Sequence, residues 1–220
     1  MSHLASELNH LKEEVYKLLE LVHSQIKKSK LAIVNYDKDL AAEVIVSDKR
    51  INASDLKIDR DCENILALYN PVAIDLRFVL AAIKMNHNLE RIGDNAEGLA
   101  TYVSYSPSAF PLEILEKFNL NPAYDRLMEM FNLIMDSYRM EDPSIARKVF
   151  NLDELLNEHN RKATKIAIEL IKSTPDKAEE ILYIMGAMRK IERMGDLTKN
   201  MAEEIIFYIE AKVLKHNKKK

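Results

Sequence analysis

Glu90-Arg91-Ile92-Gly93-Asp94 returns 102 residues later as Glu192-Arg193-Met194-Gly195-Asp196, and the reading of the chain turns on this echo. Ala100 and Ala202 keep the same offset. Upstream, Asp37, Ala41, Val44, Asp48 and Asn52 recur at an offset of 105 as Asp142, Ala146, Val149, Asp153 and Asn157. The two offsets differ by 3 residues, which a single loop absorbs. Two copies of one three-helix unit explain this pattern better than one irregular six-helix bundle.

Turn signals cut the 220 residues into long helical stretches. The first runs from about Ser6 to Tyr36, and Asp37 reads as the N-cap of a second that ends near Tyr69. Asn70-Pro71 breaks that helix and a third follows from Pro71 to about Tyr105. Ser106-Pro107-Ser108-Ala109-Phe110-Pro111 is the best linker candidate. A fourth helix is expected after Asn121-Pro122, running to Met140. Asp142-Pro143 then caps a fifth that reaches about Lys172. Ser173-Thr174-Pro175 opens the sixth, toward Lys215. The expected architecture is all-α, with six long helices in two antiparallel three-helix bundles: residues 1–106, a linker over 107–121, and residues 122–220.

Composition agrees. The chain has only 4 Gly and 6 Pro and no Trp, and it is rich in Leu, Ile, Ala, Lys and Glu, which lose little freedom in a helix. A net charge of -3 argues against a general nucleic-acid binder. Cys62 is the only cysteine, so no internal disulfide can form, which fits a reducing compartment. No signal-peptide pattern opens the chain and no apolar run reaches membrane-span length, so a cytoplasmic protein is expected. Lys212, Lys215, Lys218, Lys219 and Lys220 form a basic tail, read as a solvated helix end.

The chemistry lies in the acids. Glu90 and Asp94 are four apart, so both project from one helix face, as do Glu192 and Asp196. The first pair shares its face with Leu76, Leu80 and Ile83, the second with Leu182 and Met185, and these faces are expected to pack inward. Folding the second and third helices about Asn70-Pro71 brings Asp48 level with the first pair, and the same fold brings Asp153 level with the second. Like charges on an inward face repel and resist desolvation unless a cation compensates them. Asp48, Glu90 and Asp94, and again Asp153, Glu192 and Asp196, are therefore the candidate metal ligands. Such a set suits a hard cation: Mg²⁺, Ca²⁺, Mn²⁺ or iron.

The alternative is that Arg91 and Arg193 neutralise these acids as ordinary ion pairs. Gly93 and Gly195, each costing roughly 1 kcal/mol of helix propensity, suggest a close approach to the backbone there. His87 has Arg189 as its counterpart and reads as a surface or packing residue. Asp55 and Asp59 have no acidic match in the second half and read as solvated; the methionines read as core fillers. Nothing resembles a phosphate loop, a nucleophile elbow or a zinc cluster.

Leu89-Glu90-Arg91-Ile92-Gly93-Asp94 and Ile191-Glu192-Arg193-Met194-Gly195-Asp196, with Asn70-Pro71-Val72-Ala73-Ile74-Asp75-Leu76-Arg77, resemble the PhoU family from about Leu11 to Glu210. Ser173-Thr174-Pro175-Asp176-Lys177-Ala178 departs from the pattern, lacking the Asp-Leu-Arg segment in the second half. The resemblance implies two pseudo-symmetric three-helix bundles whose acid motifs bind metal ions, iron or another divalent cation such as manganese or magnesium, with calcium and zinc as alternatives. It also implies a non-enzymatic, dimeric protein at most peripheral to the membrane. Such a protein restrains phosphate uptake and phosphate-starvation signalling through contacts with the ATPase of the phosphate ABC transporter and a sensor histidine kinase. A metal-dependent hydrolase or a metal-storage bundle is the runner-up.

Overall fold

The computed structural model describes residues 3–214. Of the basic tail, Lys212 pairs with Glu210 at 3.0 Å, and the later lysines lie outside the described residues. The elements are α1 (His3–Asn35), α2 (Lys38–Tyr69), α3 (Ala73–Tyr105), α4 (Leu112–Lys117), α5 (Leu120–Met140), α6 (Pro143–Ser173) and α7 (Ala178–Glu210), with a 3₁₀ turn at Pro175–Lys177 before α7. No strand occurs among the described residues.

Local chemistry sets most boundaries. Asp37 accepts from the Leu40 N–H at 2.9 Å and Asp142 from the Ser144 N–H at 2.8 Å, so both aspartates are caps. Asn70, at φ 47°, closes α2 in the left-handed conformation that asparagine tolerates. α3 begins two residues later than Pro71 suggests, because Val72 is still extended (φ -129°). α5 begins before Pro122, which falls in its first turn where the missing N–H removes no helical bond. The unexpected element is α4. Its region reads as linker from its prolines, yet Phe110, Ile114, Leu115 and Phe118 are buried, a helical spacing that docks this short turn onto the core.

Side by side, α2, α3, α7 and α6 form one layer, and α1 and α5 pack behind it. Within each half consecutive long helices run antiparallel and all three pack together, and the halves join through α3–α7 and α1–α5. α3 and α7 run antiparallel: the Phe78 ring lies 5.5 Å from that of Tyr208, and at the other end Tyr102 lies 5.3 Å from Tyr183. Between them Lys84 pairs with Glu204 at 3.1 Å. Lys12 with Glu141, and Lys30 with Asp125, join the back pair.

One buried apolar cluster runs through both halves. It includes Leu11, Leu18 and Ile26 of α1, Ile51 and Ile58 of α2, Phe131 of α5 and Ile205 of α7, each worth roughly 1.5–3 kcal/mol on burial. Met85, Met130, Met188, Met194 and Met201 are buried in it, and Met128, Met135 and Met185 pack against it. Burial, reinforced by the fields of Asp59, Asp61 and Glu63, pushes the Cys62 thiol up to about 12, so it stays protonated and unreactive. No helix among the described residues is long and apolar enough to cross a membrane.

Candidate metal centre: two unequal carboxylate clusters

Both acid motifs lie at mid-height of the α3–α7 contact, between the Lys84–Glu204 pair and the point where Lys190 closes on Gly98. They face outward to either side, toward α2 and α6 respectively. The buried face of α3 carries Val79, Ala82, Met85, Leu89 and Ile92; of the expected Leu76, Leu80 and Ile83, Ile83 packs against the core at its border, Leu76 is half-buried and Leu80 is 38% exposed. Leu182 on α7 is likewise 51% exposed. The acids consequently line the border of the core: Glu90, Glu192 and Asp196 are half-buried and Asp94 is exposed.

The glycines explain how closely the helices meet. A Cβ on Gly93 would lie 2.7 Å from Ile51 Cδ1 and 3.4 Å from Asp48 Oδ1. A Cβ on Gly195 would lie 2.4 Å from Leu156 Cδ2. What approaches the backbone is thus a buried side chain of the neighbouring helix, at equivalent positions in the two repeats, and this approach carries Asp48 to the Glu90–Asp94 face.

In the first half Asp48 Oδ2 accepts from Asn52 Nδ2 at 2.9 Å, while the buried Asp48 Oδ1 has no hydrogen-bond partner. Desolvation raises the Asp48 carboxyl above its ordinary value, with further lift from the charges of Asp94 and Glu97. Glu90 is raised for the same first reason, then by Asp94 and Asp55. Asp55 and Asp59 are not simply solvated. Burial, with the Asp59 charge, raises Asp55, and Asn86 donates to Asp59 Oδ1 at 3.0 Å and to the Asp55 carbonyl at 2.9 Å. Their spacing from Asp48 at helical intervals was the available signal. His87 is exposed, and its field favours the charged forms of Asp55 and Glu90.

In the second half Asp153 is buried, and its Oδ2 accepts from Lys199 Nζ at 2.7 Å and from Asn157 Nδ2 at 3.3 Å. Desolvation raises Glu192 and Asp196; Asp196 and Asp153 lift Glu192 further, and Asp153 lifts Asp196. An Asn160 hydrogen bond counteracts this at Glu192, and Lys199 counteracts it at Asp196. Arg193 acts on both only through its field. In this half the ion pair that the alternative reading gave to Arg193 is made by Lys199, a residue whose role the linear pattern did not signal. Among the described residues no three His, Cys, Asp or Glu side chains are gathered as a ready metal-ligand set, so an ion at either cluster requires side-chain rotation.

A duplicated three-helix unit with paired acid motifs facing a third aspartate defines a class of helical repeat proteins. The model of the PhoU domain matches residues 15–103 and 123–205, one match per half. A phosphate-specific transport system accessory protein PhoU homolog of Aquifex aeolicus is 30% identical over 213 residues, covering 97% of this chain and 96% of that protein. PhoU homolog 1 of Thermotoga maritima is 28% identical over 217 residues, covering 97% and 91%. The crystal structure of PhoU from Pseudomonas aeruginosa superposes with a TM-score of 0.86 at 25% identity, covering 96% of this chain and 100% of that one. The chain belongs to the PhoU family.

Proposed function

We propose that this chain is an accessory protein of a phosphate transport system, acting by contact with other proteins rather than by turnover. The observation that carries the reading is the match of both halves to the PhoU domain, with transport-accessory relatives aligned over nearly the whole chain. Its partners on this reading are the ATPase of a phosphate ABC transporter, a sensor histidine kinase and a second copy of itself, met at the cytoplasmic face of the membrane. Acids of the repeated motif serve as ion-binding groups that organise the contact surface, with iron or another divalent cation as the ligand at the first-half cluster. The first-half cluster supports this most directly. Asp48 and Glu90 are raised by burial and by neighbouring acids, Asp48 Oδ1 is an unused buried acceptor, and an all-oxygen donor set suits a hard cation. There Asp48, Glu90 and Asp94 would hold the ion, which would add positive charge where α2 and α3 meet.

The test is a deletion strain with a pull-down. Loss of the protein should leave phosphate uptake and phosphate-starvation genes poorly restrained at high external phosphate, and wild-type protein should recover the transporter ATPase. Unchanged phosphate responses with no ATPase recovered would reject the reading, and turnover of phosphate esters by the purified protein would replace it with the hydrolase.

A further inference from the structure

We propose that Lys199 supplies, as its own side-chain ammonium, the cation of the second-half cluster, so that Asp153, Glu192 and Asp196 hold no metal ion in this chain and the two repeats are functionally unequal. Superposing the repeats by their offsets sets the two clusters residue against residue. Asp48, Glu90 and Asp94 correspond to Asp153, Glu192 and Asp196, and the glycine contacts of Ile51 and Leu156 correspond as well. The surroundings do not. Glu97 of the first half is replaced by Lys199, Asp55 by Asn160, Asp59 by Thr164 and His87 by Arg189. The first cluster therefore has two further carboxylates beside its core acids, Glu97 and Asp55, with Asp59 next to Asp55, and the second has none of them and a lysine in place of Glu97.

The geometry of the two core aspartates is otherwise alike. Each has an asparagine one turn on donating to its Oδ2, at 2.9 Å for Asn52 and 3.3 Å for Asn157, and each leaves Oδ1 without a partner. The difference is the Lys199 Nζ, which lies 2.7 Å from Asp153 Oδ2 with two-thirds of its side chain covered. A dication at these acids would have to displace or face that ammonium, in a site whose buried aspartate is already paired. A tethered cation also has no translational freedom to lose, so it holds the site at any ion concentration.

This rests in part on the metal reading above, through the first cluster alone, and the experiment separates the two. Melting curves in chelator come first. Lys199→Met should melt about 5 °C or more below wild type, because it strands the buried Asp153, whereas Lys199→Arg, which keeps the charge, should stay near wild type. Glu97→Lys should raise the melting temperature by setting the same ammonium among the first-half acids. Mn²⁺ bound at equilibrium is measured next on the full-length protein. Wild type should hold one equivalent that Asp94→Asn removes and Asp196→Asn leaves, and Lys199→Met should gain a second that Asp196→Asn then removes. The inference is overturned if Asp196→Asn strips Mn²⁺ from a chain that keeps Lys199. It is equally overturned if Lys199→Met melts with wild type in chelator, or gains no Mn²⁺ while the first cluster binds it. If wild type binds no Mn²⁺ at all, the metal reading of the first cluster falls and the chelator curves alone decide this inference.

Discussion

At the scale of single residues, Gly93 and Gly195 look interchangeable but meet different partners. Ile51 is β-branched, so two of its atoms, Cδ1 at 2.7 Å and Cγ2 at 3.2 Å, would face a new Cβ on Gly93, and its stiff χ1 leaves little room to yield. At Gly195 only the end of Leu156 comes near, at 2.4 Å, with its next atom at 3.7 Å, so the leucine can turn its tip aside. Overpacking costs roughly 1–3 kcal/mol, against which alanine recovers about 1 kcal/mol of helix propensity. Gly93→Ala should therefore destabilise by about 1 kcal/mol and push Asp48 from its motif, whereas Gly195→Ala should come out near neutral. Thermal melts of the two variants check this; equal shifts would show that the two approaches are energetically alike.

Elements are tied to one another by charges at their borders as well as by the core. Glu14 of α1 accepts from Lys17 of its own helix at 2.8 Å and from Lys57 of α2. The Lys17 hydrogen bond, then that of Lys57, hold the Glu14 carboxyl at about 2 against its ordinary 4.5. A carboxylate depressed in the folded state contributes stability that is fully present above its unfolded value and is lost as the pH falls through its folded value. Lys17 and Lys57 are 65% and 49% exposed, so solvent screening limits the contribution to roughly 1 kcal/mol. Glu14→Gln should lower stability by that amount at neutral pH, and its difference from wild type should vanish between about pH 4.5 and pH 2. Urea unfolding of both proteins across that range measures the difference; a gap that stays constant to pH 2 would remove Glu14 from the account.

For the whole molecule, the seam between the repeats is built like the rest of the core. α3 meets α7 along its length through aromatic rings at both ends, and Arg77 Nε donates to the Tyr208 carbonyl at 3.1 Å. The connection between the halves is itself anchored: Tyr36 donates to the Ser106 carbonyl at 2.7 Å and Ser108 donates to Glu180 at 2.5 Å. Cutting the chain at a protease site placed at Ser108 should therefore leave one particle with unchanged helix content. Size-exclusion chromatography with circular dichroism reads this directly. Two separating fragments at neutral pH without denaturant would mean that the halves cohere only through the covalent link.

What the sequence determined by itself was whatever depends on neighbours along one helix. The repeat, the two aspartate caps, the acid pairs at four-residue spacing and the level Asp48 were legible because capping, helical period and equal rise are local physics. The family was reached on other grounds, through the resemblance carried by residues 89–94, 191–196 and 70–77. Only the tertiary structure decided what stands across from each position. The inward face of α3 runs one step away from Leu76 and Leu80 and keeps Ile83 only at its border, because α2 and α7 both press on it and the face must serve two neighbours. α4 is helical because its apolar residues find a core, which a proline-rich stretch does not announce. Asp55 joins the first cluster, and Lys199 closes on Asp153 from 46 positions away, through a register set by how Ile51 and Leu156 seat on the two glycines. That register is a packing minimum between two helices, and no spacing within either helix encodes it.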